Sequence, residues 1–389
     1  MKLILYFADG FSWQYLQQRP FMERFWEREL PLQTLVGYSS TIMPSILTGR
    51  LPRETGMWTE YYLDPRPRGT LQRLLSRPRL RPALPLANLG RLAWFRVARR
   101  AGLGREHRLR IPLELSHLFE RHPIHYDRFP PIGLGVPTLA DRFAELGLRV
   151  DFRYLGQGPD PEPELKRLSR RVEDHDVFFF YDPSLDAKGH RAGASAQALG
   201  PEIDRIEHFL RGAWDLLAAH GSTEAMLFSD HGMTTLTGTF DLFGHLRAFE
   251  LGRDYLVFMD STLARFWFPD AARRGQVLAA LEGVPGRLLD RAQEREHGID
   301  FEDDRYAQDV LVADEGIVFH PNYFAGPFIR WARRYPELAM HGYMPDAPSS
   351  RGIFMHRGSG LRSALPDPFR PTDIFAAVDE VLAPADAQP

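Results

Sequence analysis

The chain has 389 residues, 44% of them hydrophobic and 25% charged, with a formal net charge of −3; a chain of this length buries an α/β core without covalent staples. Cysteine is absent, which excludes disulfides, thiolate catalysis and every thiolate metal site, so any metal must be held by His, Asp, Glu or a hydroxyl. The small total charge hides an asymmetry: Pro65 to Arg110 carries thirteen arginines against one acid, Glu106, which is about +12 and leaves about −15 on the remainder.

In chain order, residues 2–8 read as a buried strand, too short in its apolar run for a secretory signal. A helix-like pattern follows from Trp13 to about Glu29. Leu35 and Val36 lead into a turn at Tyr38–Thr41, and a helix is predicted to start over Ile42–Leu47. Residues 63–131 break the pattern, because Pro67, Pro78, Pro82, Pro85 and Pro112 prevent long regular helices. This stretch is predicted to be a basic cap insertion. Within it, Leu89–Ala101 fits a helix with Leu92, Phe95 and Val97 inward and Arg91, Arg96, Arg99 and Arg100 outward.

Beyond the insertion, helical patterns at Thr138–Leu146, Glu164–Val172 and Ile203–Ala219 each precede a strand-like run, at 149–155, 176–182 and 225–230. A second insertion, 250–305, holds two strand-like runs and a helix at 271–282, and predicts a small α+β lobe. Residues 383–389 read as a frayed tail. No stretch is apolar for long enough to span a membrane, and the expected location is the cytoplasm.

Strands alternating with helices predict an α/β fold: a doubly wound, mostly parallel sheet flanked by helices. Its core would comprise residues 1–62 and 132–389, interrupted by the cap and by the lobe. In such sheets the ligand site lies beyond the carboxyl ends of the strands. The polar motifs fall there. Asp9-Gly10 ends the run at 2–8, Asp182 and Asp186 belong to and follow the run at 176–182, and Asp230 and His231 end the run at 225–230. Each alone reads as a cap or a turn. Together with His190, His341 and Ser39, the residues Asp9, Asp186, Asp230 and His231 supply three carboxylates, three imidazoles and a hydroxyl. That mixture suits two divalent cations of borderline hardness.

The order of the motifs resembles the alkaline phosphatase superfamily, in its phosphodiesterase/nucleotide pyrophosphatase branch. The resemblance rests on Asp9-Gly10, on Ser39 with Thr48-Gly49, on Asp186-Ala-Lys-Gly-His190-Arg-Ala-Gly193, on the SDHGM run at 229–233 and on His341-Gly342-Tyr343. It implies one metal bound by Asp186, His190 and His341 and another by Asp9, Asp230 and His231. It also implies Ser39 as nucleophile and as a ligand that bridges or approaches the two metals, nine residues before Thr48, with Ser40 and Thr41 as competitors.

The implied cofactors are two divalent ions, zinc first and manganese second. Two such ions about 4 Å apart stabilise the entering and leaving oxygens of an in-line displacement. The implied activity is hydrolysis of a phosphodiester or pyrophosphate bond through a phosphoserine. Phosphomonoesterase and phosphotransferase or mutase activities stay open, as does a non-catalytic anion- or membrane-surface-binding role. Two departures stand out. Ser39 and Thr41 occupy places where the branch usually has Thr and Pro, and Glu60 falls where it often has a phosphate-contacting Asn. A sulfatase is disfavoured, because Ser39 lacks the Pro and Arg of that motif. The expected partner is a small phosphorylated substrate, with no nucleic acid, since the basic run lacks a recognised binding module. The arginines of 66–110 would attract an anionic membrane surface or a polyanionic substrate, unless they form a solvated face balanced by the acidic remainder.

Overall fold

The first strand, Lys2–Ala8, is buried from Leu3 onward, so both of its faces need cover. Strand periodicity divides its side chains between two cores. Ile4, Tyr6 and Ala8 enter one, and Leu3, Leu5 and Phe7 enter the other. The neighbouring strands Val177–Asp182 and Thr223–Phe228 divide in the same way, with Phe178 and Phe180 against Phe179 and Tyr181, and Leu227 against Met226 and Phe228.

The computed structural model describes residues 1–64, 66, 111, 115, 118–156, 160–324, 335 and 337–383. Its main sheet has six strands in the order Arg28–Leu32, Gly352–Arg357, Thr223–Phe228, Lys2–Ala8, Val177–Asp182, Val150–Tyr154. The last four run parallel. Gly352–Arg357 is antiparallel to both of its neighbours. Helices Trp13–Gln18, Glu162–Ser169 and Gly200–Ala218 cover one face; Ser39–Thr48, Leu139–Glu145 and Asp373–Leu382 cover the other. The mostly parallel α/β sheet flanked by helices is therefore the observed architecture.

A four-stranded antiparallel sheet stands beside it, in the order Leu256–Met259, Leu263–Trp267, Asp309–Ala313, Gly286–Leu288. It packs its own core around Phe258, Phe266 and Trp267 with the helix Ala271–Ala280. The short pair Tyr61–Leu63 and Phe119–Arg121 meets this lobe through Tyr61, which stacks on Phe258 at 5.3 Å.

Two expectations need correction. The helix predicted from Trp13 to Glu29 stops at Gln18. Pro20 follows, Met22 and Arg24 have φ of 50° and 58°, and left-handed residues do not continue a right-handed helix. Arg28–Leu32 then becomes the edge strand paired with Gly352–Arg357. The apolar spacing was real, since Met22 and Trp26 are buried in the core, but a loop places them. Second, Ser39 lies inside the helix as its first residue, and not in a turn before it. The predicted helix at Leu89–Ala101, the basic surface of 66–110 apart from Arg66, and residues 384–389 lie outside the described residues. Among the described residues no helix is long and apolar enough to cross a membrane.

Asp182, an acid at a strand end, serves the fold. Its carboxylate is fully buried. It accepts from Tyr6 Oη at 2.6 Å and the Ser184 amide at 3.0 Å, and pairs with Arg205. Removing one partner of a buried pair leaves an uncompensated charge, at about 3–5 kcal/mol. Arg205→Met is expected to lower stability by that amount, read as the midpoint of urea unfolding. An unchanged midpoint would show that the pair does not hold the turn into the Ser184–Ala192 helix.

Candidate active site

The sheet and its connections bring the separated motifs to one place. Asp9 follows the first strand, and Asp230 and His231 follow Thr223–Phe228. Asp186 and His190 lie on the helix Ser184–Ala192, four residues apart and so on one helical face. His341 follows the short strand Ala339–Met340, which pairs with Thr234–Thr235 and so returns beside His231. Backbone contacts fix the register of the acids. The Asp186 amide donates to the Asp9 carbonyl at 3.1 Å, the Gly10 amide to Asp230 Oδ1 at 3.2 Å, and Thr34 Oγ1 to the Asp230 carbonyl at 2.7 Å. Gly10 has φ 74°, and a Cβ there would sit 3.0 Å from Asp186 Cα. The glycine after Asp9 is thus required by close approach as well as by backbone conformation.

Two groups result. Asp186, His190 and His341 form one, and Asp9, Asp230 and His231 the other, each with its candidate ligand atoms within 4.8 Å of one another. Asp186 Oδ1 lies 3.2 Å from His190 Nε2 and 3.3 Å from His341 Nε2. His231 Nε2 lies 3.2 Å from Asp230 Oδ2 and 3.5 Å from Asp9 Oδ1. The His231 and His341 rings stack with centroids 3.6 Å apart, so the two groups share a wall.

The hydrogen bonds around the groups set the tautomers. His190 Nδ1 is 2.9 Å from the Ala339 carbonyl, and His231 Nδ1 is 2.8 Å from the Gly232 carbonyl. A carbonyl only accepts, so both Nδ1 atoms carry hydrogen and each ring turns its Nε2 into the site, as a donor when the ring is charged and as a metal-binding lone pair when it is neutral. Second contacts of this kind orient metal-binding imidazoles.

The electrostatics show what the groups lack. Burial raises the Asp9 carboxyl well above its ordinary range, and the negative charges of Asp230 and Asp186 raise it further. Burial also pushes Asp186 up, but the imidazoles of His190 and His341 outweigh it and hold it well below that range. Burial pushes His190 down, and Asp186 overrides it, to about 9. Burial and His231 take His341 down to about 3. Asp186 Oδ1, Asp230 Oδ2 and His341 Nδ1 are buried without a hydrogen-bond partner. Buried carboxylate oxygens left in this way attract a cation, and the mixed nitrogen and oxygen set fits a divalent transition ion at each group.

Ser39 Oγ lies 3.1 Å from His231 Nε2 and 3.4 Å from Asp9 Oδ1. Thr41 Oγ1 is taken by the Trp58 carbonyl and the Tyr38 amide, whereas the Ser39 hydroxyl meets both Asp9 and His231. Glu60 pairs with Arg121 on the neighbouring strand. Three residues that sequence reading passed over also bear on the site. Tyr181 Oη donates to Asp9 Oδ2 at 2.7 Å, and a polar ring closing an otherwise apolar strand was its only signal. Tyr38 and Thr262 meet behind His341; no local pattern marks a threonine whose partners lie 79 and 224 residues away.

No curated protein matches the chain by sequence. By structure it is similar to murine ectonucleotide pyrophosphatase/phosphodiesterase 5, in an inactive variant in complex with AMP, at 16% identity and a TM-score of 0.65. It is similar to the human ectonucleotide pyrophosphatase/phosphodiesterase 5 at 14% identity and a TM-score of 0.67. In both cases the alignment covers 100% of this chain and 96% of the other, and it establishes the shared fold. The sequence pattern of the family described as type I phosphodiesterase/nucleotide pyrophosphatase matches residues 125–344. That is more than half of the chain, and the protein belongs to this family of phosphodiester- and pyrophosphate-bond hydrolases within the alkaline phosphatase superfamily.

Proposed function

We propose that the protein hydrolyses a phosphodiester or pyrophosphate bond at a two-metal centre through a phosphoserine formed on Ser39. The observation that carries this reading is the position of Ser39 Oγ, within 3.4 Å of both Asp9 and His231 and at the head of a helix. Asp186, His190 and His341 would hold one ion, and Asp9, Asp230 and His231 the other. Zinc is the first choice for this ligand set and manganese the second. When bound, the ions supply positive charge that favours the serine alkoxide and offsets the charge of the phosphoryl oxygens.

The chain's own residues do the rest. Ser39 Oγ attacks phosphorus in line, the ester or anhydride oxygen departs opposite to it, and water later cleaves the phosphoserine to free the serine. The Thr41 and Ile42 amides already donate to the Tyr38 carbonyl, at 2.7 and 3.1 Å. The amides of Ser39 and Ser40 are therefore the ones at the open end of the helix, where an anion is favoured. Tyr181 fixes one oxygen of Asp9 and leaves the other facing Ser39. The murine protein in complex with AMP supports a nucleotide-like substrate.

Ser39→Ala is expected to lower turnover of a chromogenic diester at least about 10³-fold while two ions per chain are retained on metal analysis. Full activity in Ser39→Ala with loss in Ser40→Ala would move the nucleophile by one residue. Asp230→Ala and His190→Ala should each lose an ion along with activity. Stripping the protein with a chelator should abolish hydrolysis, and zinc or manganese should restore it. Hydrolysis that survives complete stripping would refute the two-metal reading. Paired assays on a chromogenic monoester and diester should favour the diester; a preference for the monoester would place the protein with the phosphomonoesterases.

A further inference from the structure

We infer that Thr262 is a positioning residue for the reaction, whose hydroxyl ties the backbone bearing Ser39 to the backbone bearing His341. The inference rests on the reading of Ser39 and His341 given above. Thr262 sits in the turn between the lobe strands Leu256–Met259 and Leu263–Trp267 and is fully buried. Its Oγ1 lies 2.8 Å from Tyr38 Oη, 3.1 Å from the His341 carbonyl and 3.0 Å from the Gly342 carbonyl. Its amide lies 2.9 Å from Tyr38 Oη.

One arrangement of hydrogens satisfies all of these contacts. Both carbonyls only accept, so the Thr262 hydroxyl must donate, shared between the two. Its oxygen then receives the Tyr38 hydroxyl hydrogen, and the Tyr38 oxygen receives the Thr262 amide. The network is closed and neutral and has no hydrogen to spare, which suits holding atoms in place and not moving protons.

What it holds are the two neighbours of the chemistry. Tyr38 precedes Ser39 directly, and its ring meets the His341 ring edge-on at 5.5 Å. Gly342, at φ 89°, follows His341, and a Cβ there would lie 2.7 Å from Thr262 Oγ1 and 2.8 Å from Tyr38 Cε1. The turn itself is anchored from the lobe side. The Ala313 amide donates to the Thr262 carbonyl at 2.8 Å, the Phe319 amide to the Ser261 carbonyl at 2.8 Å, and Arg265 Nε to Asp260 Oδ2 at 3.0 Å. The antiparallel lobe thus meets the segment of Ser39 and one ligand group at the Thr262 hydroxyl.

Thr262→Val keeps the shape and removes the hydroxyl, Thr262→Ser keeps the hydroxyl, and Tyr38→Phe removes the network from its other side while keeping the ring. For the full-length protein with zinc or manganese, Thr262→Val and Tyr38→Phe should lower kcat about 10- to 100-fold on a chromogenic diester with KM changed less than about threefold. Titration of the stripped protein with either ion should show one of its two sites weakened about tenfold, the other intact, and Thr262→Ser close to wild type. If Thr262→Val lowers only the melting temperature and keeps kcat and both ion affinities, Thr262 is structural and the inference fails. If Thr262→Val does not fold, Tyr38→Phe decides by the same criteria. Absence of turnover in the wild-type protein would refute the proposed reaction, and the ion titration would then decide the role of Thr262 alone.

Discussion

Two buried carboxylates, Asp9 and Asp230, and the partly buried Asp186 lie within one another's field beyond the ends of the central strands, and the layout of the site follows from the cost of that crowding. Burial and mutual repulsion both raise Asp9, so nothing about the acids alone favours their meeting. The fold forces it with neutral contacts. The Asp9 carbonyl takes the Asp186 amide, the Gly10 amide holds Asp230, and Thr34 holds the Asp230 carbonyl. A buried cluster assembled against its own electrostatics is stabilised only by positive charge, and each acid group is matched by imidazoles that turn Nε2 inward. A site with this imbalance suits cations, and under the proposed reaction the serine beside it, Ser39, is the group they would act on.

The two sheets divide the work. The parallel sheet carries Asp9, Asp230 and His231 directly at its strand ends and Asp186 and His190 on the next helix. Its central strands are covered on both faces, so their ends move little relative to one another. His341 has a different origin. It arrives on a two-residue strand tied to Thr234–Thr235, and it packs against Tyr38, which belongs to the nucleophile's segment but lies partly against the lobe core. The position of this imidazole is therefore set jointly by the main sheet and the lobe, whereas Asp9, Asp230 and His231 follow strands of the main sheet and His190 leans on the Ala339 carbonyl of the same short strand.

The legible parts of the sequence were those whose signal is local. Apolar runs ending in acids marked the parallel strands, and Asp9, Asp186, Asp230 and the three histidines stood at motifs short enough to see. The Trp13–Glu29 stretch misled because Met22 and Trp26 have helical spacing and are buried, yet Pro20 and two left-handed residues carry the chain there as a loop. The Arg28–Leu32 strand was hidden because its pairing partner lies over 300 residues away. Thr262 was invisible for the same reason. A buried hydroxyl takes its meaning from what it meets, and its partners come from two distant segments.

Glu60 shows how a structure changes the sense of a sequence departure. Read alone, an acid on the wall of a phosphoryl site repels the substrate. Burial raises the Tyr126 hydroxyl, the charges of Glu60 and Asp9 raise it further, and Arg121 opposes them. Glu60 is half-buried and bonded to Arg121, itself half-buried, and the strand pair Tyr61–Leu63 with Phe119–Arg121 fixes both in register. The two charges cancel at a distance, so the wall presents a dipole and not an anion. An anion approaching such a pair gains from the guanidinium what it loses to the carboxylate, and the balance depends on which end of the pair it approaches. The acid at 60 is thus compatible with anionic substrates, provided that Arg121 stays with it.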